Sequence, residues 1–163
     1  GLAESIGAYK SNRFKKVMCV IGDGSFLMNI QDLQNIVQEK MNIKILLINN
    51  NGYLAIRHTQ KEFLDKRFFG TDPKGGLSMP KFKKCKDLFG IKYERFENLR
   101  NYKSKLSKIF NYNGPVLCEV FTSEDQNSLF KQGYKKEKNG LFKPQPLSEM
   151  YPFFKLPISN TNN

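Results

Sequence analysis

The chain has 163 residues, enough for one ordinary domain with a real core. Hydrophobic residues at 39% and aromatics at 13% exclude wholesale disorder, and no apolar run approaches the roughly 18 residues that span a bilayer. Three scattered cysteines and a single histidine exclude a disulfide framework, a readable zinc site and any multi-histidine metal cluster. The net charge of +12 invites a nucleic-acid reading. Its lysines are spread along the chain, however, densest at Lys131, Lys135, Lys136 and Lys138, with no RNP-like motif, zinc finger or arginine-striped helix. They read as solvated surface, with neither nucleic acid nor membrane as a partner.

Gly1 to Ala8 are small and apolar and read as the middle of a helix. Lys16 to Ile21 (KVMCVI) is a short apolar run, the pattern of a buried strand, and it ends in Gly22-Asp23-Gly24-Ser25. Ser25 and Phe26 open a helix. Beyond them Leu33, Ile36, Val37 and Met41 recur on one helical face. Ile43 to Ile48 (IKILLI) is a second buried strand, closed by Asn49-Asn50-Asn51-Gly52. Strand, turn, helix and strand make a βαβ unit.

Residues 57–77 show no clear period and read as a long loop. Ser78 and Pro80 then mark a helix start, with Phe82, Cys85, Leu88 and Phe89 on its buried face and Gly90 as its stop. A strand at Lys92 to Phe96 and a helix near Tyr102 to Phe110, burying Leu106 and Ile109, precede a third buried strand, Val116 to Phe121. From residue 123 the chain is polar and carries Pro144, Pro146 and Pro152, so it reads as an extended tail packed on a domain of residues 1–122. The fold class is α/β, a mainly parallel sheet with helices on both faces.

A parallel crossover brings the C-terminal ends of both strands to one edge of the sheet, where open α/β sheets bind ligands. Asp23 follows the first strand and Asn50 the second, so a carboxylate and a carboxamide line one crevice. Gly22 and Gly24 allow a sharp turn and close approach of a bulky anion. Helix-opening amides face the same crevice. Two side-chain oxygens, with a backbone carbonyl at Gly52, make half of a magnesium–diphosphate site, which diphosphate oxygens and water would complete. Each element alone has an ordinary reading: Asp between glycines is a common turn, and Asn51-Gly52 is a hairpin signal, weakened here because the flanking strands read as parallel. Other phosphate loops fit badly. Walker A lacks its Gly-Lys-Ser/Thr, and the dinucleotide fingerprint has Leu27 where its third glycine belongs.

Gly22-Asp23-Gly24, about two dozen residues and then Asn49-Asn50 resembles the thiamine-diphosphate signature of the pyruvate oxidase and acetolactate synthase family. The runs IGDGSFLMNIQDLQNI, ILLINNNGYLAIRHTQKEF and GLSMPKFKKCKDLFGI look like the cofactor-diphosphate domain of acetolactate-synthase-like proteins. The tail KPQPLSEMYPF is similar to those from surface-polysaccharide gene clusters.

The resemblance implies that Asp23 and Asn50 ligate Mg²⁺ through side-chain oxygens and Gly52 through its carbonyl. It implies that Gly24 and Ser25 hold the diphosphate through backbone amides and the Ser25 hydroxyl, with Gly22 beside them in the cofactor site, and that Tyr53 and Leu54 lie near the thiazolium and the substrate. Arg57 reads as a solvated or structural residue, with contact to an anionic substrate as the alternative. His58 reads as a surface or interdomain residue, and Cys19 and Cys118 as core. In this family the glutamate that activates the cofactor lies in a separate pyrimidine-binding domain, usually on another subunit. No catalytic residue is therefore expected here, and the chain resembles the C-terminal piece of a three-domain homo-oligomer whose upstream strand and loop are missing.

The expected function is thus the diphosphate- and magnesium-binding part of a cytoplasmic thiamine-diphosphate enzyme. It would decarboxylate a 2-oxo acid, with pyruvate as donor, and pass the two-carbon unit to a carbonyl acceptor. A sulfo- or phosphonopyruvate decarboxylase is the alternative within that class, and a non-catalytic relic binding module the alternative outside it.

Overall fold

The computed structural model describes residues 1–11, 16–126 and 131–150. Two compact units divide the chain, Gly1–Asp125 and Gln126–Asn163. In the first, helix α1 (Leu2–Lys10) precedes strand β1 (Val17–Gly22), followed by two short helices, α2 (Asp23–Leu27) and α3 (Leu33–Gln38). Strand β2 (Ile43–Asn49) leads to α4 (Leu54–Phe63), then α5 (Cys85–Phe89), β3 (Lys92–Phe96), α6 (Tyr102–Asn111) and β4 (Val116–Phe121). The sheet order is β1-β2-β4-β3 and every pairing is parallel. Among the described residues no helix is long and apolar enough to cross a membrane.

Alternation along the strands divides the core. Cys19, Ile21, Ile43, Ile45, Leu47 and Leu117 face one side, with Phe26, Leu33, Ile36, Phe82 and Cys85 packed on them. Val116, Cys118 and Phe96 face the other, against Ile109 of α6. The aliphatic, β-branched runs of the central strands suit a sheet covered on both sides. Phe26 is fully buried and meets Phe82 edge to face, with centroids 5.4 Å apart, which fastens the segment after β1 to the core.

Several local expectations need correction. Met41 is buried, but not by helical period, because α3 ends at Gln38. Lys40 takes a positive φ of 50° and donates its N–H to Val37 O, and Met41 donates to Ile36 O, so a Schellman cap folds Met41 back onto the helix. Leu88 is 74% exposed, although Phe82 and Cys85 are buried. The segment opens as a three-residue 3₁₀ turn over Phe82–Lys84, so the helical phase counted from Phe82 does not carry through to Leu88. Residues 54–63, largely assigned above to a loop, are the ten-residue helix α4. Its buried residues are Arg57 and Gln60, one turn apart, so the inward face carries no apolar period to read.

One lysine departs from the solvated majority. Lys44 on β2 is fully buried, and its ammonium donates to Asn42 Oδ1 (2.6 Å) and to the carbonyls of Tyr112 (2.8 Å) and Gly114. Burial, with Lys16 and Lys92 nearby, lowers its pKa to about 8.

In the second unit, β5 (Tyr134–Lys136) and β6 (Phe142–Pro144) form an antiparallel hairpin where an extended tail was expected. Gly140, with φ of 84°, sits in its turn and donates its N–H to Glu137 O. Lys135, Lys136 and Lys138 are exposed on it, as solvated lysines should be, whereas Lys131 is half-buried. Pro152 lies outside the described residues.

Candidate functional site

Register places the site. Gly22 at the end of β1 pairs with Ile48 of β2, and Asn49 pairs with Phe121 of β4, so three chain exits meet at one edge. Asp23 is the first residue of α2, two positions earlier than the expected helix start at Ser25. Asp23 is 1% exposed and its carboxylate accepts hydrogen bonds from three main-chain amides. Its Oδ1 accepts from Gly24 N (2.8 Å), and its Oδ2 accepts from Gly52 N (2.9 Å) and Asn50 N (3.2 Å). The aspartate thus reaches across the crossover and binds the turn that carries the asparagines.

Two glycines are dictated by contact. Gly52 has φ of 143°, and a Cβ there would strike the Thr71 carbonyl oxygen and stand 2.7 Å from Arg57 Nη1. At Gly24 a Cβ would fall within 2.7 Å of Tyr53 Cδ1 and 2.9 Å of Cζ, so the tyrosine ring lies directly on this glycine. Ser25 is exposed, and Tyr53 and Leu54, at the start of α4, are half-buried. The structure therefore brings Asp23, Gly24, Asn50, Gly52 and Tyr53 together.

Asn50 Oδ1 is buried and has no hydrogen-bond partner. Buried side-chain oxygens are almost always satisfied, so an orphan one calls for an explanation. A small hard cation between it and Asp23 would meet two oxygen donors of the kind Mg²⁺ prefers. Among the described residues no group of three or more His, Cys, Asp or Glu side chains stands ready to hold a metal. Any ion here must complete its shell from main-chain carbonyls, a ligand or water.

Arg57, Glu119 and Tyr93 support this turn, and the last two are not singled out from the sequence. Arg57 is not solvated: it is 5% exposed, and its guanidinium donates to the carbonyls of Thr71 (2.9 Å), Asn50 (3.0 Å), Glu124 (2.8 Å) and Asn51 (3.4 Å). Its structural reading holds. Glu119 on β4 is 3% exposed and accepts from Asn49 Nδ2 (2.6 Å) and from the Tyr93 hydroxyl. Burial and the adjacent Glu119 push the Tyr93 phenol well above its ordinary range. Asn49 Oδ1 in turn accepts from Asn51 N (2.9 Å), so this chain of bonds fastens the turn from the sheet side. A buried polar residue inside a strand, as in VLCEVF, is the one sequence signal that pointed there. His58 is half-buried on α4.

Residues 1–120 match the family described as thiamine pyrophosphate enzyme, C-terminal TPP binding domain. The chain is 38% identical over 127 residues to the acetolactate synthase large subunit of Porphyra purpurea, covering 78% of this chain and 21% of that protein. It is 31% identical over 120 residues to the isozyme 1 large subunit of Escherichia coli K12, with 74% and 21% covered. The mitochondrial acetolactate synthase of Schizosaccharomyces pombe is 32% identical over 127 residues, with 78% and 18% covered. The chain thus spans about a fifth of the length of these relatives. A four-stranded parallel sheet, the Gly-Asp-Gly turn meeting the Asn-Asn turn at its edge, and a match over most of the chain agree: this chain belongs to the C-terminal thiamine-pyrophosphate-binding domains of thiamine pyrophosphate enzymes.

Proposed function

We propose that this chain is the diphosphate- and magnesium-binding part of a thiamine-diphosphate-dependent enzyme of the acetolactate synthase type. The observation that carries the reading is the buried, unpartnered Oδ1 of Asn50, on the turn whose amides bond to the Asp23 carboxylate. Asp23 and Asn50 would hold Mg²⁺ through side-chain oxygens and Gly52 through its carbonyl. Gly22, with open space beside its Cα, gives the diphosphate room, and Ser25 offers it an amide and a hydroxyl from an exposed position. Gly24, covered by the Tyr53 ring and with its N–H on Asp23, stays in the turn that carries them. Tyr53 and Leu54 would wall the thiazolium and the substrate. On this reading residues 1–122 form the binding domain and 123–163 its C-terminal tail.

Bound thiamine diphosphate supplies the carbanion stabilisation that lets a 2-oxo acid lose CO₂. The residues in this chain bind and orient; none of them is assigned a proton transfer. The activating glutamate belongs to a pyrimidine-binding domain of the same or a second polypeptide in a homo-oligomer, and three reduced thiols suit a cytoplasmic setting. The names of the relatives support pyruvate as donor, with a carbonyl compound accepting the two-carbon unit.

The test supplies labelled pyruvate, Mg²⁺ and thiamine diphosphate to the complete protein containing this chain, with and without candidate acceptors. Labelled CO₂ and a carboligation product are expected. Turnover only with a phosphonate- or sulfonate-bearing 2-oxo acid would keep the cofactor and replace the donor. Failure to bind thiamine diphosphate at any magnesium concentration would overturn the whole reading.

A further inference from the structure

We infer that Arg57 is a positioning residue for the metal-ligating turn: its buried guanidinium locks the main chain of Asn50 and Asn51 so that Asn50 Oδ1 is set for an ion before the ion arrives. The inference rests on the magnesium reading above.

Asn50 is held at both of its main-chain polar groups. Its N–H donates to Asp23 Oδ2 at 3.2 Å, and its carbonyl accepts from Arg57 Nη2 at 3.0 Å. With both peptide groups fixed, the Cα is fixed, and only the side-chain torsions remain to aim the orphan oxygen. Asn51, at φ of 58°, is held likewise, by Asn49 Oδ1 on its N–H and by Arg57 Nη1 on its carbonyl. The same guanidinium reaches Thr71 O and Glu124 O, so it ties the turn to two segments remote in sequence.

Only arginine suits this task. Its planar fork serves four acceptors on two nitrogens, whereas a lysine ammonium is a single point with three donors. The clamp also sorts the carbonyls. Main-chain carbonyls are hard donors that could all compete for a cation. Arg57 occupies those of Asn50 and Asn51, and of the three turn carbonyls it leaves that of Gly52. Substrate contact, the other role open to an arginine here, is disfavoured: the side chain is 95% removed from solvent and its hydrogen bonds end on main-chain oxygen.

The experiment uses the complete protein with Mn²⁺ as the spectroscopic probe for Mg²⁺, in the presence of thiamine diphosphate. Arg57→Lys and Arg57→Gln are compared with wild type by near-ultraviolet circular dichroism, metal titration and steady-state kinetics. Metal affinity should fall about 10- to 100-fold, the range given by partners that orient ligands from behind. Turnover at saturating metal and KM for the 2-oxo acid should stay within a few-fold. Unchanged metal affinity in folded variants overturns the inference, and so does a raised KM with unchanged metal affinity, which would make Arg57 a substrate contact. A wild type that binds no Mn²⁺ sinks the magnesium reading and this inference together. Hydrogen exchange on metal-free wild type tests the claim without any variant. The amides of Asn50, Asn51 and Gly52 should be protected, and exchange at free-loop rates would show that nothing is positioned in advance.

Discussion

Replacing Asp23 by Asn separates two jobs that the alanine variant would confuse. The carboxylate accepts three amide hydrogen bonds while 1% exposed. Removing it with Ala strands the N–H groups of Gly24, Asn50 and Gly52, at about 1–3 kcal/mol for each buried unsatisfied group. The total, roughly 3–9 kcal/mol, rivals the entire stability of a domain, about 5–15 kcal/mol. Lost cofactor binding in Asp23→Ala would therefore say little about metal. Asn keeps an oxygen for the amides of Asn50 and Gly52 and turns its amino group toward Gly24 N, a loss of about 1–3 kcal/mol. What it removes is the charge. Urea unfolding of the complete protein, with and without Mg²⁺ and thiamine diphosphate, reads both effects. Ligand at 100 times its Kd adds about 2.7 kcal/mol to the wild type. In Asp23→Asn that increment should vanish over the same concentrations, because a divalent ion has lost the charged member of its ligand set. An Asn variant that folds and keeps the full increment would place the metal elsewhere and refute the assignment.

Gly24→Ala puts a methyl group into the Tyr53 ring and should weaken cofactor binding, while Gly24→Ala combined with Tyr53→Ala should recover part of the fold stability, a coupling that a double-mutant cycle in urea measures. Phe26→Ala should cost about 3–5 kcal/mol and release α2, lowering the thermal midpoint and diphosphate affinity together; an unaltered midpoint would mean that the ring is not a structural anchor. Burial and the charge of Glu119 push the Cys85 thiol up to about 11, and burial with Glu94 pushes Cys118 up to about 12. Their folded values exceed the unfolded one of about 8.5, so the stability they contribute is full below pH 8.5 and is lost as pH rises toward 11–12. Urea unfolding between pH 7 and about 10 should show this decline, and Cys85→Ala with Cys118→Ala should flatten it relative to wild type.

Much of this architecture was legible because its central elements advertise themselves by composition. The runs IKILLI and VLCEVF are continuous and aliphatic, so β2 was legible to within a residue and β4 with both ends. Asp23 and Asn50 could be brought to one edge by the parallel crossover alone. What stayed hidden was helix α4, and the reason is chemical. A helix that buries Arg57 and Gln60 against main-chain carbonyls presents a polar inner face, and apolar periodicity cannot register it. The same blindness covered Glu119, whose role depends on Asn49 and Tyr93 arriving from neighbouring strands. Leu88 failed in the opposite direction: an apolar residue at helical spacing was counted as core although the 3₁₀ turn before it had changed the phase.

The hydrogen bonds of Asp23 also set how an ion can bind. A carboxylate offers about four lone-pair sites. Three are engaged, two on Oδ2 with the turn and one on Oδ1 with Gly24. Giving two oxygens to a metal would require breaking the bonds that hold Asn50 and Gly52, and with them the placement of the other two ligands. On the magnesium reading Asp23 is therefore a one-oxygen ligand through Oδ1, Asn50 adds one oxygen and the Gly52 carbonyl another. An octahedral ion then needs about three oxygens from outside the protein. Diphosphate and water are the available sources, so the protein half-site is too sparse to hold Mg²⁺ tightly alone. Arg57 gives the diphosphate no help, because its buried guanidinium is already engaged with main-chain carbonyls. Metal and diphosphate affinities are thus coupled by the ligand count itself, each raising the other by the same factor.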